Sequence, residues 1–109
     1  MVTLKKISDS QSKFGSSFQK ENTQFYTILY GNENVGEVEF WTKQNEILSI
    51  YIDKSFRRMG FGRQVIDQLF EIYKIDSVLA WSAKTSEKFW KKISTKKLSN
   101  NYFLIEKNK

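Results

Sequence analysis

The sequence predicts a mixed α/β fold, on three observations. A β-rich, nearly continuous apolar run (Glu46 to Ile52) enters a turn with two glycines, and that turn enters an amphipathic helical pattern. Upstream, short alternating segments separated by turn residues read as paired strands. Downstream, a second β-type run is followed by a short helical pattern and a last strand.

Taken in order, Val2 to Ile7 is a short first strand, and Ser8 to Asn22 is polar, with Phe14 and Phe18 spaced as a helical pair. Phe25 to Tyr30 alternates as a strand, Gly31-Asn32-Glu33-Asn34 is turn chemistry, and Gly36 to Thr42 is the hairpin partner. Lys43-Gln44-Asn45 turns the chain into Glu46 to Ile52, whose apolar content predicts a buried central strand. Asp53 to Phe56 is a polar link. From Gln64 to Tyr73, Val65, Ile66, Leu69, Phe70, Ile72 and Tyr73 form an apolar stripe opposite Gln64, Asp67, Gln68 and Glu71. Ser77 to Ser82 is the next strand, Thr85 to Ile93 a short helix, and Asn100 to Glu106 a final strand. Repeats and proline-rich linkers are absent.

A chain of 109 residues holds one core, so residues 1–109 are expected to form a single domain. Nine Phe, five Tyr and three Trp let few residues bury much area. The absence of cysteine excludes disulfides and thiol catalysis, and the absence of histidine removes the commonest general base and zinc ligand. With no Asp/Glu cluster at calcium-loop spacing, no metal is expected. No apolar run reaches membrane-spanning length and no signal-peptide core opens the chain, which predicts a cytoplasmic protein without membrane contact.

Residues 1–83 balance ten basic against ten acidic side chains, so the whole formal charge of +6 falls from Lys84 onward. Lys84, Lys88, Lys91 and Lys92 share one face of the short helix. That face fits a phosphate of a ligand or an acidic partner protein. It also fits a plain solvated surface. Nucleic acid, with Trp81, Trp90 or Tyr102 as stacking surfaces, is the least favoured partner.

The glycine turn, Arg57-Arg58-Met59-Gly60-Phe61-Gly62-Arg63, carries the chemistry. Glycine permits backbone conformations and close approaches that a Cβ blocks. A helix start presents unpaired N–H groups and partial positive charge. With three arginines alongside, the turn suits a phosphate or pyrophosphate. It is not a Walker A loop, since no Lys-Ser/Thr follows, and Val65 stands where the dinucleotide fingerprint needs a small residue.

The turn resembles the acyl-CoA loop of the Gcn5-related N-acetyltransferases, Q/R-x-x-G-x-G/A, with Arg57, Gly60 and Gly62 at its fixed positions. The order of elements from the Phe25 strand onward also matches that family. The resemblance implies a central, mostly antiparallel sheet flanked by helices, here truncated between the first and second strands. Relatives usually place two helices there; only residues 8 to 24 separate Ile7 from Phe25. The acceptor side is therefore expected to be open and suited to a bulky amine, a lysine or N-terminus of a protein, unless a second copy of the chain supplies the missing surface.

The implied reaction is transfer of acetyl from acetyl-CoA, a co-substrate, to an amine, with no metal. The pyrophosphate would lie on Arg57, Arg58, Met59, Gly60, Phe61, Gly62 and Arg63, with Gly60 and Gly62 giving backbone access. Pantetheine would run along Ile50, Tyr51 and Ile52, where relatives carry a strand bulge; the residue types here fit an ordinary buried strand equally well. In the histone-acetylating branch a glutamate at the position of Glu46, eleven residues before Arg57, is the general base. Glu37 and Glu39 are fallback bases. Relatives often carry N-x-x-A-x-x-F/L-Y-x-x-x-G-F in the later helix. Phe89 fits that pattern, whereas Ala83, Ser86, Trp90 and Ser94-Thr95 depart from it. Trp90 stands in place of the tyrosine that serves the leaving thiolate, and an indole cannot deliver a proton as a phenol does. A CoA-binding module without catalysis and a small basic nucleic-acid-binding domain therefore remain as alternative readings.

Overall fold

A computed structural model describes residues 1–8, 11, 22–83, 86–99 and 101–107 of the chain. Seven strands form one sheet: β1 (Val2–Ile7), β2 (Thr23–Tyr30), β3 (Glu33–Trp41), β4 (Glu46–Ile52), β5 (Ser77–Trp81), β6 (Lys96–Lys97) and β7 (Tyr102–Glu106). Their spatial order is β1-β2-β3-β4-β5-β7-β6, antiparallel throughout except for the β4–β5 pair. Among the described residues the α-helices are α1 (Phe61–Tyr73) and α2 (Glu87–Ile93).

The β2–β3 hairpin closes on two residues, Gly31 and Asn32, with Tyr30 opposite Glu33. Gly31 takes φ +64°, the left-handed geometry that tight hairpins demand. This turn is shorter than the Gly31–Asn34 segment expected, because β3 begins at Glu33. Val35 then sits unpaired between Asn34 and Gly36 as a bulge. The β4-to-β5 crossover runs through α1, as a parallel pair requires.

α1 begins at Phe61, ahead of the Gln64 read from periodicity. The Gln64 N–H already donates to Gly60 O at 3.2 Å, whereas the apolar stripe is visible only from Val65. The helix stops where Lys74 turns left-handed at φ +53° and the Ile75 N–H reaches back to Phe70 O. α2 is described from Glu87; Thr85 and Lys84 lie outside the described residues, as does most of the Ser8–Asn22 segment with Phe14 and Phe18. β6 was not foreseen, since two lysines carry no strand signal.

One core joins the helices to one face of the sheet. It takes Tyr26, Ile28, Val38, Phe40 and Ile47 from the strands, Val65, Ile66, Leu69 and Phe70 from α1, and Trp90 from α2. Tyr73 stacks on Phe40, centroids 4.8 Å apart, and its hydroxyl lies 2.6 Å from that of Tyr26. Burial, and then the Tyr26 hydroxyl, push the Tyr73 phenol well above its ordinary range, so it stays neutral. The Val2 N–H donates to Gln64 Oε1 at 2.8 Å and ties the outermost strand to the same helix.

Gly62 has a packing role that its motif position did not suggest. A Cβ there would overlap the Phe89 ring, so the glycine admits α2 against the first turn of α1. This packing role is additional to the phosphate access expected of Gly62.

Candidate active site

The parallel β4–β5 pair is short: only Glu46 with Leu79 and Ile47 with Ala80 are matched. Beyond Ile47 the two strands part toward their C-terminal ends. One edge of β4, from Leu48 to Ile52, is thus without a neighbouring strand among the described residues. An extended ligand can add to such an edge as a strand would. Crevices at the carboxyl ends of parallel strands are also where α/β sheets bind ligands. The parting explains why β4 is buried only over Glu46–Leu48, a correction to the fully buried strand expected.

β4 does carry an irregularity, but not at Ile50–Ile52, which pair regularly with Val38, Glu37 and Gly36. It lies at Leu48: Glu39 faces Ser49 and Phe40 faces Ile47, which leaves Leu48 unmatched. The bulge has a reason in side-chain parity. Ile47, Ile50 and Ile52 all pack toward the helix-covered core, and odd and even positions of a regular strand cannot share a face. That odd spacing was the sequence signal for the bulge.

The open edge leads into the arginine loop. A 3₁₀ turn (Lys54–Phe56) follows β4, and Arg57 to Gly60 are exposed. Gly60 caps α1 at φ +79° with no side chain, and the helix's first turn holds no acidic residue. The first-turn N–H groups therefore have no side-chain cap, and the dipole favours an anion there. Arg58 is also left-handed, at φ +66°. Met59 is half exposed, whereas Phe61 is buried against Tyr30 and Phe56. Arg63 pairs with Asp67 at 3.3 Å on the helix surface. The Arg57 Nε donates to Ile52 O at 2.8 Å and the guanidinium lies 5.7 Å from the Tyr51 ring centre, so Arg57 braces the loop against the end of β4.

On the sheet face away from the helices, strand alternation aligns Glu37 and Glu39 of β3 with Tyr51 and Ser49 of β4, and Trp41 with Glu46. A two-faced strand would leave such carboxylates in water. Instead Glu37, Glu39 and Glu46 are only 6%, 0% and 3% exposed. Neither carboxylate oxygen of Glu39 completes a hydrogen bond to a described residue. Burial raises the Glu39 carboxyl above its ordinary range; the Ser49 hydroxyl nearby eases that rise, and the Glu37 charge adds to it.

The sign of the effect on stability is fixed by that direction. A raised folded-state value means that the neutral form is preferred in the fold. The stability it brings is complete below the unfolded carboxyl's value and is lost as pH rises through the folded one. Glu39→Gln is therefore expected to raise the melting temperature at pH 7–8, with the gain vanishing as pH falls toward 4. A variant less stable than native at pH 8 in a thermal melt contradicts it.

The lysine face is less free than its spacing suggested. Lys91 and Lys97 both reach Glu87, at 3.1 and 3.3 Å, and hold its carboxyl below the ordinary range. Lys88 and Lys92 are exposed. Trp90, 1% exposed, is core and offers no stacking surface. Among the described residues no group of acidic side chains could hold a metal ion, and no helix is long and apolar enough to cross a membrane.

The sequence matches the acetyltransferase (GNAT) family over residues 4–93. The chain belongs to that family. The family's reaction is acetyl transfer from acetyl-CoA to an amine. Solved structures share the fold. A GNAT acetyltransferase from Elizabethkingia anophelis, with acetyl-CoA bound, is 13% identical with a TM-score of 0.64, covering 96% of this chain and 97% of its own. An IAA acetyltransferase from Bacillus cereus is 10% identical with a TM-score of 0.65, covering 97% and 99%. Tetrahymena Gcn5 is 11% identical with a TM-score of 0.60, covering 80% of this chain and 69% of its own. Among curated proteins, none matches the sequence. The mixed seven-stranded sheet with its flanking helices is the GNAT fold that the sequence predicted.

Proposed function

We propose that this GNAT protein is an acetyl-CoA-dependent N-acetyltransferase whose acceptor is an amine of a protein, a lysine side chain or an N-terminus. The observation that carries the reading is the continuity of one open strand edge with the arginine loop. The unmatched edge of β4 runs into a loop whose first-turn amides, Gly60 and Arg58 suit a pyrophosphate. Ile50, Tyr51 and Ile52 would hold the pantetheine arm, and Arg57 to Arg63 the pyrophosphate, with Arg57 fixing the loop's geometry.

Glu46 is the candidate base at the apex of the split. It occupies the first matched rung of β4 and β5 on the face away from the helices, and it is buried. The amine must lose its proton before its lone pair can attack, and a carboxylate at this position can take it. The protein-amine acceptor is argued from chain length alone: only residues 8–22 join β1 to β2, fewer than the two helices usual in relatives need.

Calorimetry with acetyl-CoA and with CoA is expected to show binding to both. With poly-L-lysine as acceptor, thiol release from acetyl-CoA is expected to exceed the acceptor-free rate. Glu46→Gln is expected to lower kcat by roughly 100-fold, the usual scale for a positioned base, with binding of acetyl-CoA unchanged. An unchanged kcat removes Glu46 from the mechanism. Absence of heat with either ligand sinks the acetyltransferase reading.

A further inference from the structure

Glu39 is a buried carboxyl with no completed hydrogen bond to a described residue, in the middle of a sheet. Such a group is expensive and needs an explanation. Its position supplies one. Glu39 faces Ser49 across the ladder, and Ser49 is the first β4 residue on that sheet face beyond the last β4–β5 rung. The pair stands at the apex of the split, on the face that also carries Glu46.

We propose that Ser49 and Glu39 form a proton relay that deprotonates the acceptor ammonium at the apex of the β4–β5 split, with Glu39 holding the proton. The inference rests on the acetyltransferase reading. Transfer to an amine that arrives as an ammonium strips two protons from its nitrogen: one to free the lone pair, one as the C–N bond forms and the C–S bond breaks. One of them ends on the departing CoA thiolate and the other in solvent. Two proton acceptors are therefore wanted. Ser49 passes its hydroxyl proton to Glu39 as it takes one from the ammonium, and Glu46 takes the second. Glu39 acts through Ser49 and is a positioning residue. Its raised carboxyl fits the task, since a stronger base draws more readily on an ammonium. Among the described residues, the charged or titratable groups on the same sheet face are Glu37 on β3, Glu46 and Tyr51 on β4, Lys5 on β1, Tyr102 and Glu106 on β7, and Lys96 on β6.

Two measurements test this. In 13C-carboxyl NMR, Glu39 should titrate above the exposed glutamates and higher still in Ser49→Ala, which removes the hydroxyl that favours the anion. A Glu39 carboxyl that titrates with the exposed ones overturns the relay whatever the enzyme does. In thiol release with poly-L-lysine, Glu39→Gln and Ser49→Ala should each lower kcat at least tenfold and displace the acid limb of the pH profile. Glu39→Asp should recover part of the loss. The variants should melt cooperatively at pH 6, Glu39→Gln at no lower a temperature than native, which separates a lost relay from a lost fold. Native turnover and an unmoved acid limb in Glu39→Gln overturn the relay alone. A native protein that never consumes acetyl-CoA overturns the transfer reading, and the relay with it.

Discussion

Gly60→Glu is expected to weaken acetyl-CoA binding by at least 100-fold while the protein stays folded. Gly60 sits at φ +79°, and a Cβ there would meet nothing within 4 Å. The substitution therefore brings no clash, only the strain of a left-handed non-glycine residue, about 1–2 kcal/mol. A carboxylate at the start of the helix returns roughly 0.3–1 kcal/mol through the dipole, so the fold loses little. The ligand loses far more. A charge about 4 Å from a pyrophosphate, at an effective dielectric near 20, is repelled by about 4 kcal/mol, and each 1.4 kcal/mol is tenfold in affinity. Gly60→Ala separates the two effects. It carries the strain without the charge and should weaken binding tenfold at most. Calorimetry with acetyl-CoA reads both variants. Binding of Gly60→Glu within threefold of native would place the pyrophosphate elsewhere.

The loop was legible because its chemistry is local. Two glycines, three arginines and a strand-to-helix transition follow one another in sequence, and the fold keeps them together. The hairpin, α1 and β5 were legible for the same reason, since alternation and the 3.6-residue stripe are local patterns. What lay between elements was harder. Gly62 reads as part of the phosphate turn, yet it is fixed by Phe89, twenty-seven residues away and on another helix. Glu37 and Glu39 alternate with Gly36, Val38 and Phe40 as on any two-faced strand, but both are buried. The parting of β4 from β5 depends on where a parallel partner stops, which no single strand encodes. Two signals carried the rest: the odd spacing of Ile47 and Ile50, which requires a bulge, and Ser49, the one small polar residue inside an apolar run.

Trp90→Ala is expected to destabilise the protein by about 3–5 kcal/mol, the range for truncating a large buried aromatic side chain. Trp90 is 1% exposed and belongs to the same core as α1 and the sheet, with Phe89 edge-on to it at 4.8 Å. A domain of this size is held by only about 5–15 kcal/mol, so the loss takes a large share and should lower the melting temperature by roughly 15 °C or more. Trp90→Tyr distinguishes a packing role from a catalytic one. If position 90 lay beside the thiol, restoring the phenol seen in many relatives would speed turnover. In a sealed core it leaves a cavity and a hydroxyl in want of a partner, at about 1–3 kcal/mol, and adds nothing to the reaction. The expected pattern is therefore a lower melting temperature with no gain in kcat, read from circular-dichroism melts and thiol release on the same samples. A faster Trp90→Tyr enzyme would move position 90 out of the core and into the leaving-group site. Under the pattern expected here, the CoA thiolate takes its proton from a group other than the side chain at position 90.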